Sequence, residues 1–155
     1  MFLPISGDLK VGGRYQLQGN AGGVVERCER PRSLAITWEM HGDVSWVSIS
    51  LSERGRATQL TLEHVAHVPD VIFDQYGPGG VGVGWDLALM GLSLHFETGA
   101  PNDHEAAERW TLGPEGRAMV EGCSESWAAA SIAAGTDAAK AREAASRVAD
   151  FYSPR

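Results

Sequence analysis

The feature that most constrains this chain is a period-two alternation of apolar and polar residues, punctuated by turn residues, running from Val11 to Val65. Successive side chains of a strand point to opposite faces, so the pattern specifies strands with one apolar and one wet face. The turns between them specify an antiparallel meander. Gly12-Gly13 opens a first strand, Arg14 to Gln18, with Tyr15 and Leu17 on one face. Gly19-Asn20 is a two-residue hairpin signal, because both residue types tolerate positive φ. A second strand covers about Gly22 to Glu29 and stops before Pro31, which has no N–H for a ladder. The third, Ser33 to Met40, places Leu34, Ile36, Trp38 and Met40 on one face. After Gly42-Asp43, Val44 to Ser52 alternates Val47, Ile49 and Leu51 against Ser48 and Ser50. After Arg54-Gly55, Ala57 to Val65 sets Thr58, Leu60, Leu62 and His64 against Gln59, Thr61 and Glu63. A sheet with one apolar face needs a cover on that face.

The continuation supplies one. A Gly-rich loop leads into a helix, Trp85 to Phe96, whose apolar residues go nearly all the way round, so it is expected to be buried on most sides. Asn102, with Glu105 three residues on, resembles a capping box for a short helix to Arg109. Gly113-Pro114 reads as N-cap and first residue of a second helix, to about Ala134, closed by Gly135. Thr136 caps a third, to about Tyr152. The expected fold is α+β: an antiparallel sheet of about five strands gripping a buried helix, with a helical C-terminal extension. The expected division is residues 1–98 for the sheet and its helix and residues 99–155 for the extension.

Charge and composition narrow the function. Thirteen Lys and Arg are scattered among twenty Asp and Glu, for a formal charge of −7. Phosphate backbones and anionic lipid surfaces both call for clustered cations, so no nucleic acid and no membrane are expected as partners. The most apolar stretch, Val81 to Phe96, contains Asp86 and His95 and is too short to span a bilayer. No basic segment precedes an apolar one at the start, which reads as a cytoplasmic protein, with Cys28 and Cys123 as reduced thiols.

Several constellations invite a chemical reading. Gly77-Pro78-Gly79-Gly80-Val81-Gly82 fits G-x-G-x-x-G by letter, but no strand precedes it and no βαβ unit surrounds it. It reads as a flexible loop, and no cofactor is expected. His64 and His67 are three apart on or beside a strand and so face opposite ways, which gives no convergent metal site. Cys123 lies mid-helix, away from any nucleophile elbow, and reads as a packing residue. The inward set Trp38, Met40, Leu51, Leu62, His64, Trp85, Leu89 and Met90 has two readings, a filled core or the lining of a cavity for a small apolar molecule. His64 either fixes a ligand or simply bonds to a neighbour. Trp46 alternates outward with Val44 and is an interface candidate.

Taken in order, Gly7-Asp8-Leu9-Lys10-Val11-Gly12-Gly13, Gly23-Val24-Val25-Glu26, Leu34-Ala35-Ile36-Thr37-Trp38-Glu39, Thr58-Gln59-Leu60-Thr61-Leu62-Glu63-His64 and Gly84-Trp85 carry a resemblance. About Phe2 to Phe96 resembles the START-like (SRPBCC, helix-grip) superfamily, and within it the bacterial homologues of the activator of heat-shock protein ATPase. The resemblance implies a curved antiparallel sheet gripping a long helix, with a cavity between them. It also implies three functional classes. The first is a non-catalytic binding protein for a small apolar ligand. The second is a protein-interaction or chaperone-cofactor module. The third is a cyclase- or dehydratase-like enzyme, which needs a convergent acid–base pair; His64 has no evident inward carboxylate to complete one. The family's first strand and helix pair have no counterpart before Phe2. The expected consequence is a homodimer in which the sheet edge or the Phe2 to Ile5 segment meets a second copy.

Overall fold

The computed structural model describes residues 3–154. The chain divides into two compact units, one of strands ending at His67 and one of helices beginning at Val68.

The strand unit is a six-stranded antiparallel meander, β1 (Ile5–Gly7), β2 (Arg14–Leu17), β3 (Gly22–Glu29), β4 (Ser33–Met40), β5 (Asp43–Arg54) and β6 (Ala57–Val65), in spatial order β1-β2-β3-β4-β5-β6. The strand absent from the five-strand expectation is β1, three exposed residues that pair with β2 through Ile5↔Leu17 and Gly7↔Tyr15. It is too short to show an alternation. Of the Phe2 to Ile5 segment expected at an interface, Phe2 lies outside the described residues.

Turn chemistry sets the register. Met40 pairs with Asp43, so the β4–β5 turn is His41-Gly42 rather than Gly42-Asp43, and both residues have positive φ, 55° and 90°. That is the primed turn whose twist matches the flanking strands, and glycine fills its second position without a Cβ penalty. Between β3 and β4 the Arg30–Pro31 peptide is cis, in a turn closed by Arg32 N–H donating to Glu29 O at 2.6 Å.

The helical unit contains α1 (Asp70–Tyr76), α2 (Gly79–Thr98), α3 (His104–Thr111), α4 (Pro114–Ala133) and α5 (Ala138–Tyr152). Its core is Val83 and Leu87 of α2, Val120 of α4 and Val148 of α5, with Met90, Trp110, Trp127 and Tyr152 packed around it. The Gly-rich segment is not a loop. From Gly79 on it forms the first two turns of α2, so the helix begins six residues before Trp85. Packing overrides glycine's poor helix propensity here. Gly82 lies directly beneath the Trp127 indole, where any Cβ would collide with the ring. The Tyr152 hydroxyl donates to Gly80 O at 2.9 Å, and the Trp127 indole N–H donates to the Asp86 carboxylate at 2.8 Å.

Within the helical unit, Val83 and Leu87 of α2 are buried in a core with Val120 of α4 and Val148 of α5, while Leu94 and Phe96 near its C-terminal end are exposed. Two caps fall one residue later than the sequence pattern indicates. Asp103, not Asn102, caps α3 by accepting from Ala106 N–H at 3.0 Å, while Asn102 donates to Gly91 O at 2.9 Å. Asp137, not Thr136, caps α5 through Ala139 and Lys140 N–H, and Thr136 accepts instead from the Ser131 hydroxyl at 2.9 Å. Gly113 and Pro114 open α4 as expected. No helix among the described residues is long and apolar enough to cross a membrane.

Candidate ligand-binding face

The sheet register brings one face together residue by residue. Val25 pairs with Ile36, Ile36 with Val47, and Val47 with His64, a row across four strands that is apolar until its last member. The next row runs Cys28, Leu34, Ile49 and Leu62, and beyond it Leu51 pairs with Leu60. On the other side of the first row, Trp38 pairs with Ser45. Val25 and Val47 are each only 2% exposed, while Ile36, Trp38, Leu62 and His64 are half-buried.

His64 is the polar group set into this surface. Its Nε2 lies 2.9 Å from the Ser45 hydroxyl, which itself lies 3.2 Å from Trp38 O. Serine has one proton to give. Donated to the Trp38 carbonyl, it leaves the hydroxyl oxygen to accept from Nε2–H, which makes Nδ1 the acceptor nitrogen of the ring. The imidazole sits 5.9 Å from the Trp38 ring, centroid to centroid, tilted by 56°. Burial lowers the His64 pKa below the usual imidazole value, so the neutral form is favoured. None of the residues registered around it (Trp38, Ser45, Val47, Leu62) is a carboxylate. The arrangement orients a neutral hydrogen-bonding ring on an apolar wall.

The first row is braced from its far side. Tyr15 of β2 stands opposite Gly23 and is 8% exposed. Its hydroxyl donates to Thr37 O at 2.7 Å, crossing over Gly23, where a Cβ would strike that same carbonyl. Burial, then the nearby Glu39 carboxylate, push the Tyr15 phenol up to about 12. Glu39 accepts from Arg14 at 2.8 Å and from the Thr37 hydroxyl at 3.0 Å, which hold its carboxyl below the ordinary glutamate range.

Of the sequence candidates, Trp38, Leu51, Leu62 and His64 share this sheet face. Met40 ends β4 on the same side by alternation and is 41% exposed. Trp85 and Leu89 lie one turn apart on α2, half-buried and exposed respectively, whereas Met90 packs into the helical core beside Val83 and Leu87. Ser45 is the residue that sequence reasoning misses. Its signal is legible in retrospect, because it shares the alternation of Val47, Ile49 and Leu51 and so is a hydroxyl on the apolar face. Trp46 and Val44 lie on the opposite face, 42% and 47% exposed, with Val65 beside Trp46.

In the helical unit, a recess of about 30 Å³ lies between Phe73, Tyr76, Trp127 and Ala144. An open groove of about 800 Å³ runs along α4 and α5, lined by residues that include Arg117, Glu121, Ala128, Ile132, Arg142 and Ala149. Burial and the Asp86 carboxylate, to which its thiol is hydrogen-bonded, raise the Cys123 pKa, so it is a poor nucleophile. Both cysteines are free thiols. Among the described residues no group of three His, Cys, Asp or Glu is placed to hold a metal ion.

Comparison with known proteins agrees with this architecture. Residues 3–97, more than half of the chain, match the family described as Activator of Hsp90 ATPase homolog 1-like protein. The crystal structure of CalU16 from Micromonospora echinospora is 39% identical, with a TM-score of 0.62, over 83% of this chain and 69% of that one. The solution NMR structure of CalU16 is 37% identical, with a TM-score of 0.66, over 87% and 72% of the two chains. None of the curated proteins matches. The family match over the strands and α2, and the like structures at this identity, lead to one conclusion: the chain belongs to the Activator of Hsp90 ATPase homolog 1-like family, within the START-like superfamily.

Proposed function

We propose that this chain is a non-catalytic binding protein for a small apolar molecule, held against the Trp38–His64 face of the sheet. The family match supports a ligand-binding or cofactor-type module. The observation that carries the finer reading is the row Val25, Ile36, Val47 and His64, with Trp38 alongside: an apolar wall carrying an oriented hydrogen-bonding ring. Ligand sites in proteins have this composition, a mostly apolar lining with a few fixed polar groups. The neutral state of His64, favoured by burial, suits an uncharged hydroxyl on the ligand.

A second reading, a protein-interaction module, draws on Val44, Trp46 and Val65, which are exposed together on the other face. The two readings separate in a fluorescence titration with 1-anilinonaphthalene-8-sulfonate, on protein whose near-ultraviolet circular dichroism shows fixed tertiary packing. The binding reading expects saturable enhancement that Leu62→Gln weakens about tenfold, equivalent to about 1.4 kcal/mol, and that Trp46→Ser leaves unchanged. Loss of the signal in Trp46→Ser alone would favour the second reading.

A further inference from the structure

His64 sets a titratable ring into a row whose other members are apolar. It follows Val25, Ile36 and Val47 across four strands, with the Trp38 ring 5.9 Å away, centroid to centroid. Its Nε2–H is committed to the Ser45 hydroxyl, whose own proton goes to Trp38 O. A proton taken up by the ring therefore enters at Nδ1, and the charge it brings lies on the apolar side of the sheet.

Among the described residues of the strands, no charged side chain is in register with that ring. Glu63 on its own strand and Glu39 on β4 alternate to the opposite face. Asp43 and Glu53 of β5 share the His64 face by alternation, but both are exposed, and they register with Met40 and Thr58. The other titratable groups on this face are the Cys28 thiol, on β3 at the far end of the Leu62 row, and the Tyr15 phenol of β2, pushed up to about 12 and so neutral here.

Given the binding-face reading, on which this inference rests, we propose that a proton on His64 and an uncharged apolar ligand exclude one another at this face, whereas an apolar ligand carrying an anionic group takes the proton up with it. An uncharged ring system laid over an imidazolium strips it of water and offers no counter-charge, which penalises the charged form. A carboxylate on the same ring system supplies the counter-charge through a charge-assisted hydrogen bond. At neutral pH burial keeps His64 neutral, and the face suits uncharged ligands. Below the folded pKa their affinity falls, by up to about tenfold per pH unit. Such coupling is reciprocal, so each ligand also moves the proton affinity of the ring.

NMR pH titration of the His64 ring in the full chain tests this, with the protein free and then saturated with 2-naphthol or 2-naphthoate. The two probes carry a neutral hydroxyl and a carboxylate on the same ring system. 2-Naphthol is expected to lower the His64 pKa by about one pH unit, which corresponds to about tenfold weaker binding to the protonated form. 2-Naphthoate is expected to raise it. His64→Gln, with fixed tertiary packing checked by near-ultraviolet circular dichroism, should bind 2-naphthol with an affinity that no longer falls in acid. A His64 pKa left unmoved by saturating 2-naphthol, or moved the same way by both probes, overturns the proposal and leaves the binding-face reading standing. So does an affinity for 2-naphthol that falls as steeply with acid in His64→Gln as in wild type. If neither probe binds saturably, the proposal falls together with the binding-face reading.

Discussion

Tyr15 is a buried and His64 a half-buried polar group, and their different environments give different pH signatures. Tyr15→Phe removes the bond to Thr37 O and leaves that carbonyl one donor short. A lost hydrogen bond of this kind costs about 0.5–1.5 kcal/mol, which urea denaturation would read as a lower midpoint with an unchanged slope. The phenol's folded pKa of about 12 lies above its ordinary value of 10, so its contribution is complete below pH 10 and is lost as pH rises from 10 toward 12. His64 has the opposite sign. Its folded pKa lies below 6.5, so below pH 6.5 the unfolded chain takes up the proton first. Stability is therefore expected to be flat above pH 7 and to fall between pH 6.5 and the lowered folded value. The fall is modest, because the ring is only partly buried. In His64→Gln, urea midpoints between pH 7.5 and 5 should lack this component. An identical decline in wild type and variant would mean that the ring is not held neutral by its surroundings.

At the scale of elements, α2 depends on glycines that its propensity disfavours. Gly82→Ala gains helix propensity of about 1 kcal/mol but drives a methyl into the Trp127 ring, and overpacking of this kind costs about 1–3 kcal/mol. Net destabilisation is expected. Gly122 of α4 is the contrast: a Cβ there meets nothing, so Gly122→Ala should stabilise by about 0.5–1 kcal/mol. Opposite shifts in thermal midpoint check the pair together.

The same helix marks the limit of sequence legibility. Strands β2 to β6 can be read from alternation because one face is apolar and the other wet, and a slip of one residue would invert both. Trp38, Leu62 and His64 share a face for that reason. The start of α2 is not legible, since Gly-Pro-Gly-Gly-Val-Gly has loop propensity and only the distant Trp127, Val148 and Tyr152 make it a helix. Both missed caps have a polar residue immediately before the real one, Asn102 before Asp103 and Thr136 before Asp137, and local pattern alone does not choose between them. Ser45 is missed because its role lies in the pairing with Trp38 and the bond to His64, which are separated from it by seven and nineteen residues.

For the whole molecule, charge and family membership frame how binding should be measured. At a formal charge of −7 the protein repels an anionic probe at long range, so saturable binding of 1-anilinonaphthalene-8-sulfonate reports apolar contact rather than ion pairing. Family membership places the fold but does not name a ligand, since one fold hosts unrelated activities. Trp38 and Trp46 supply an internal comparison, two indoles on opposite faces of the same sheet. A ¹H–¹⁵N correlation spectrum recorded while the probe is added follows both indole N–H signals and the His64 ring at once. The binding-face account predicts saturable shifts at Trp38 and His64 with a common dissociation constant, and a stationary Trp46. Shifts confined to Trp46, or to residues of α4 and α5, with Trp38 and His64 unmoved, would contradict it.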